Sequence, residues 1–148
     1  MYLSLFNMIV IMGIGNSSRG DDGVGLLVAR LLEKRAEIIL CDTDPLDYVE
    51  KICDEKPELL IILDAIDAGR KAGEIIQVNE NMLENLSVST HHFPISLFLK
   101  FIEKCVKRVE IWGIQVKNVS FGEEISGEVK SAASKLAELI NNRINEKV

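Results

Sequence analysis

Leu59-Leu60-Ile61-Ile62-Leu63-Asp64 is a run of five apolar residues closed by a carboxylate. An apolar run this short and unbroken reads as a strand buried on both faces, the kind found in a parallel sheet covered by helices. The acid at its end places negative charge where a central strand emerges. A carboxylate there needs a cation or several donors around it, and a cap or a structural ion pair is the alternative account of Asp64.

The same grammar extends in both directions. Upstream, Met8-Ile9-Val10-Ile11-Met12 is continuously apolar and meets Gly13-Ile14-Gly15, as expected of a first buried strand that ends in a tight turn. After a polar loop over residues 16–22, Val24, Leu27, Val28, Leu31 and Leu32 recur at helical spacing and form one core-facing stripe. Ile38-Ile39-Leu40-Cys41 predicts a second strand, and Pro45 introduces a short helix marked by Val49, Ile52 and Cys53.

Downstream, residues 73–78 follow Asp64 too closely for a helical crossover, so they predict an antiparallel edge strand. Pro94 opens a helix with Ile95, Phe98, Leu99 and Ile102 inward, residues 109–116 supply another strand, and Val129, Ala133, Leu136 and Ile140 line a final helix. The expected fold is α/β, a three-layer α/β/α sandwich with a mostly parallel, mixed sheet of about five strands. Residues 1–148 make one domain, since 148 residues at 47% hydrophobic content suit a single core.

Composition narrows the function. With 23 acidic against 17 basic residues and a formal charge of -6, the chain offers no global field for a phosphate backbone, and nucleic acid is not an expected partner. No stretch reaches the roughly 18 apolar residues of a membrane helix, and residues 1–7 lack a basic signal region. A cytoplasmic protein with no membrane partner is expected, read as a monomer. Cys41, Cys53 and Cys105 are odd in number and widely spaced, which predicts buried thiols in a reducing compartment rather than a disulfide framework.

In an open α/β sheet the ligand crevice lies beyond the carboxyl ends of the strands. Three acidic segments are expected there: Gly20-Asp21-Asp22-Gly23, then Asp42 with Asp44, then Asp64 with Asp67. Asp21 or Asp22 taken alone reads as a cap on the following helix. The only histidines, His91 and His92, sit in a polar segment before Pro94 and read as loop residues. Two carboxylates and an imidazole make a mixed oxygen and nitrogen site for a borderline divalent metal, with positions open for another ligand. Gly13-Ile14-Gly15 also admits a nucleotide-binding reading, with Asp42 as the ribose acid, although Ser18 stands where a third glycine belongs and Asp21-Asp22 oppose a pyrophosphate. No nucleophile elbow is present.

Gly13-Ile14-Gly15-Asn16 followed by Gly20-Asp21-Asp22-Gly23-Val24-Gly25 resembles the N-terminal motif of the hydrogenase maturation endopeptidases. Leu63-Asp64-Ala65, Thr90-His91-His92-Phe93-Pro94-Ile95 and Trp112-Gly113-Ile114-Gln115-Val116-Lys117 match that family's later motifs in order, so the resemblance spans nearly the whole chain. It departs after the second strand, where Asp42-Thr43-Asp44-Pro45-Leu46-Asp47 replaces a Gly-Thr-x-Pro-Glu-Asn-like loop, and at Val116, where many relatives have proline.

The resemblance implies an endopeptidase that removes the C-terminal extension of a nickel-iron hydrogenase large-subunit precursor already carrying its nickel. It implies that Asp22, Asp64 and His91 are the catalytic site and the nickel ligands. His91 rather than His92 takes that role because it follows Thr90 and stands three residues before Pro94. The nickel arrives with the precursor, and the hydrolytic water is activated either by that nickel or by a carboxylate base such as Asp42. A non-proteolytic nickel-binding accessory protein using the same three residues is the alternative outside hydrolysis.

Overall fold

The computed structural model describes residues 8–42, 44–83, 87–88 and 95–145. The apolar runs form strands as their patterns require: β1 (Ile9–Ile14), β2 (Glu37–Cys41), β3 (Leu59–Asp67) and β6 (Arg108–Gln115) are mutually parallel. The edge strand β4 (Ile75–Val78) runs antiparallel to β6, and the two-residue β5 (Ser87–Val88) runs antiparallel to β3. The sheet order is β2-β1-β3-β6-β4, so β3 and its carboxylate lie at the centre.

Helices cover both faces. On one, α1 (Val24–Leu31) and α5 (Gly127–Ile144) pack Val24, Val28, Val129, Ala133, Leu136 and Ile140 against Ile11, Ile61 and Leu63. On the other, α2 (Val49–Glu55) and α4 (Ile95–Ile102) bring Ile52, Phe98 and Ile102 onto Val10, Met12, Leu60 and Ile62. The odd and even residues of β3 divide between the two cores, as the period-two alternation of a strand demands. A four-residue helix, α3 (Glu80–Leu83), closes a small third cluster around Ile66, Ile76 and Val78. The three-layer mixed sandwich is therefore the observed architecture.

Three expectations change. The strand β3 does not stop at Asp64 but runs on to Asp67, because β6 continues beside it as far as the pair Ile66 and Gln115. The polar segment before Pro94 is not all loop, since Ser87 and Val88 pair with Asp67 and Ile66. The cysteines are not all thiols: Cys53 of α2 and Cys105, just past α4, form a disulfide with Cα atoms 4.8 Å apart. The sequence separation of 52 hid the pairing, which arises because α2 and α4 lie side by side on one face of the sheet. Cys41 is buried, as expected.

Candidate active site

The glycines of the first motif set the position of the first carboxylate. A Cβ on Gly13 would lie 2.5 Å from the carbonyl oxygen of Gly25 and 2.8 Å from Ala29 Cβ. One on Gly25 would meet the carbonyl oxygens of Ile14, at 2.5 Å, and Leu63. Helix α1 thus starts in backbone contact with the ends of β1 and β3, which only glycine permits. The space a side chain on Gly15 would need is taken by the carbonyl of Asp22, which accepts a hydrogen bond from Asn16 N–H at 3.3 Å. The glycine loop is filled by the chain itself, and this counts against the nucleotide reading.

Between β1 and α1 a 3-10 turn, Gly20–Gly23, carries Asp21 and Asp22, both with 0% exposure. The residues at the N-cap positions of the turn and of α1 are Arg19 and Gly23, and neither makes a side-chain cap.

Asp64 lies one residue beyond the last pairing of β3 with β1, Leu63 opposite Gly13, and is matched across the sheet with Gly113 of β6. It is 7% exposed. Its Oδ1 accepts a hydrogen bond of 2.8 Å from the N–H of Ala65. Burial, and then the negative field of Asp22, hold the Asp64 carboxyl well above the usual carboxylate range, and the Ala65 hydrogen bond only partly offsets them. The chain has therefore brought two acids of the first and second motifs together at the carboxyl end of its central strands. A Cβ on Gly113 would come within 2.6 Å of Ile66 Cγ2, so a side chain there would push on that buried isoleucine.

Asp21 serves a separate purpose. Its Oδ2 accepts from the N–H groups of Lys117 and Asn118 at 2.8 and 2.9 Å, and its Oδ1 from Ser126 N–H at 2.7 Å. The Ser126 hydroxyl lies 3.0 and 2.9 Å from the two oxygens. Asp21 thereby fastens the loop after β6 and the start of α5 to the turn that holds Asp22. Gln115, 3% exposed, is a second such fastener. Its Oε1 accepts from Ala68 and Arg70 N–H at 2.8 and 3.1 Å, while Nε2 donates to Asp67 Oδ1 at 3.1 Å and to the Val116 carbonyl at 3.0 Å. That hydrogen bond holds the Asp67 carboxyl below its ordinary range. The sequence signalled neither role, because the partners lie 45 to 105 residues away.

Asp42 is exposed at the end of β2, an edge strand separated from β3 by β1. Two strand spacings, about 10 Å, divide it from Asp64. Asp44 accepts from Leu46 N–H at 3.0 Å and caps a short 3-10 turn, Pro45–Tyr48. His91 and His92 lie outside the described residues; Val88, three positions before His91, pairs with Ile66, two positions after Asp64. Among the described residues no three His, Cys, Asp or Glu side chains come together as a metal site.

Residues 24–143 match the family model described as hydrogenase maturation protease. A putative hydrogenase maturation protease of Methanocaldococcus jannaschii is 32% identical over 93% of this chain and 89% of its own. The hydrogenase 3 maturation protease of Escherichia coli is 28% identical, with 83% and 82% covered. The crystal structure of a nickel-iron hydrogenase maturation protease from Thermococcus kodakarensis aligns with a TM-score of 0.82 at 34% identity, covering 96% of this chain and 95% of that one. The solution structure of an Escherichia coli endopeptidase gives a TM-score of 0.83 at 25% identity, with 91% and 90% covered.

Proposed function

Since the chain belongs to the hydrogenase maturation protease family, whose members are peptide-bond hydrolases, we propose that it removes the C-terminal extension of a nickel-loaded hydrogenase large-subunit precursor. In this reading the precursor's nickel is the recognition element, and Asp22, Asp64 and His91 are the residues that meet it. The observation that carries it is the buried pairing of Asp64 with Asp22.

Asp64, buried beside the carboxylate of Asp22 and held protonated more readily than an ordinary carboxylic acid, is a poor structural choice, because ionising a buried carboxyl costs stability. A divalent cation arriving with the substrate reverses that cost, and it displaces the proton that Asp64 holds more tightly than an ordinary carboxylic acid. Two carboxylates and one imidazole fit a borderline ion such as nickel and leave positions for the precursor's own ligands. The pairing of Val88 with Ile66 supports His91 as the third donor, because β5 lies beside β3 close to Asp64 in sequence.

The residues then work by position. Asp22 and Asp64 anchor the metal-bearing segment of the precursor, and the peptide bond beside it is held for attack, which converts loose encounter into fixed geometry. Held by these residues, the precursor's nickel would supply Lewis-acid polarisation of a water or of the scissile carbonyl. Asp42, exposed at the end of β2, is the candidate carboxylate for accepting the water's proton. Cytoplasmic action as a monomer completes the reading.

The test is incubation with a large-subunit precursor, with and without nickel, followed by mass spectrometry of its C-terminus. Nickel-dependent loss of the extension is the expected result. Intact nickel-loaded precursor that nevertheless binds the chain would instead assign a non-proteolytic nickel-binding accessory role.

A further inference from the structure

Phe121 is 82% exposed, the most exposed of the large apolar side chains among the described residues; Phe101 follows at 55%. An aromatic residue so placed leaves its whole apolar area in water unless something covers it. Its loop is not loose. Gly122 N–H donates to the Ser18 carbonyl at 2.8 Å, and Arg19 Nε donates to the Val119 carbonyl at 3.3 Å. Asp21 N–H donates to the Asn118 carbonyl at 2.9 Å, and Ser120 N–H donates to Asn118 Oδ1 at 2.8 Å. The bonds to Ser18, Arg19 and Asp21 tie the Phe121 loop to the segment that carries Asp22. The loop that presents the ring is therefore held against the turn that leads into Asp22, with the ordering cost of its backbone already met.

Resting on the proposed function, we propose that Phe121 is the docking anchor for the large-subunit precursor, engaging an apolar notch on the precursor's surface. Continuity with the turn that carries Asp22 selects this occupant, because the hydrogen bonds to Ser18, Arg19 and Asp21 make the Phe121 loop a neighbour of the segment at which the precursor would be held. Glu123 and Glu124, both exposed beside the ring, select a notch bordered by lysine or arginine. Phe121 positions the substrate and takes no part in the chemistry.

The experiment measures the dissociation constant of nickel-loaded precursor by calorimetry, together with KM and kcat for cleavage, for the wild-type chain and for Phe121→Ser and Phe121→Leu. Phe121→Ser is expected to weaken binding and raise KM about tenfold, the scale of a buried aromatic anchor, with kcat and Tm unchanged. Phe121→Leu should restore most of the affinity, and added salt should weaken wild-type binding by screening the two glutamates. Equal affinity and KM in wild type and Phe121→Ser, with cleavage intact, would overturn the docking role alone. Precursor that binds the wild-type chain and is weakened by Phe121→Ser, yet is never cut, would support docking while removing the protease reading. A wild-type chain that does not bind the precursor would overturn both. A concentration-dependent dimer abolished by Phe121→Ser would assign the ring to self-association and overturn the proposal.

Discussion

Asp21 reaches Ser126 across 105 residues of sequence, and its Oδ1 accepts that residue's backbone N–H at 2.7 Å. With Lys117 and Asn118 N–H on the other oxygen, the carboxylate faces donors on both sides. An amide cannot satisfy them, because one of its two ends presents its own N–H groups. Asp21→Asn is therefore expected to lose about 2 to 4 kcal/mol, nearly as much as Asp21→Ala, since buried donors are left unpaired. Denaturant unfolding of both variants checks this; an Asn variant as stable as wild type would show that the site does not need the charge.

Asp64 behaves in the opposite sense. Its folded-state proton affinity lies above the unfolded value of about 3.9, so the folded chain binds a proton that the unfolded chain has released. Stability from this group is fully present below that unfolded value and is lost as pH rises toward the raised folded value. Asp64→Asn, almost isosteric and still able to accept from Ala65 N–H, removes the penalty. The variant is expected to melt higher than wild type at neutral pH, by about 2 to 4 °C for each kcal/mol relieved, while precursor cleavage is abolished. The gap in Tm should narrow toward pH 4, and calorimetry between pH 4 and 8 reads it.

Replacing Gln115 with leucine should cost about 2 to 3 kcal/mol, because the Ala68 and Arg70 N–H groups lose their shared acceptor. Asp67 gives an independent readout by NMR titration. Without the Gln115 amide its carboxyl should titrate higher, and the stability it contributes, present above the unfolded value and lost on acidification, should diminish.

The Cys53–Cys105 bridge closes a loop with a sequence separation of 52. On the chain-entropy account, its removal costs about 4 kcal/mol. Urea unfolding with and without reductant should show a midpoint drop in the wild-type chain and none in a Cys53→Ser, Cys105→Ser double variant. Identical midpoints in the wild type would mean that the bridge contributes nothing in solution.

The strands and the large helices were legible because their apolar runs have the length and period of buried elements. What escaped the sequence was set by neighbours rather than by local pattern. The continuation of β3 through Asp64 to Asp67 depends on β6 running alongside, and two residues of β5 carry too short a signal to read. The acids of the site were visible as charges at the ends of apolar runs. Their division of labour was not: Asp21 and Asp22 are adjacent and chemically identical, and only the distant Lys117, Asn118 and Ser126 amides make one of them a fastener. Cys53 and Cys105 were misread for the same reason, since spacing along the chain says nothing of two helices packed on one face.

The backbone contact of Gly25 with Ile14 and Leu63 draws a boundary for anyone engineering this molecule. Exchanging glycine for alanine is a common route to tougher proteins, since it restricts the unfolded chain. At Gly127, where an added methyl group meets nothing within 4 Å, that route is open. At Gly13 and Gly25 the same methyl would wedge the first helix off the sheet and carry Asp22 away with it, so a screen that selects only for heat resistance, blind to cleavage, could trade away the site's geometry unnoticed.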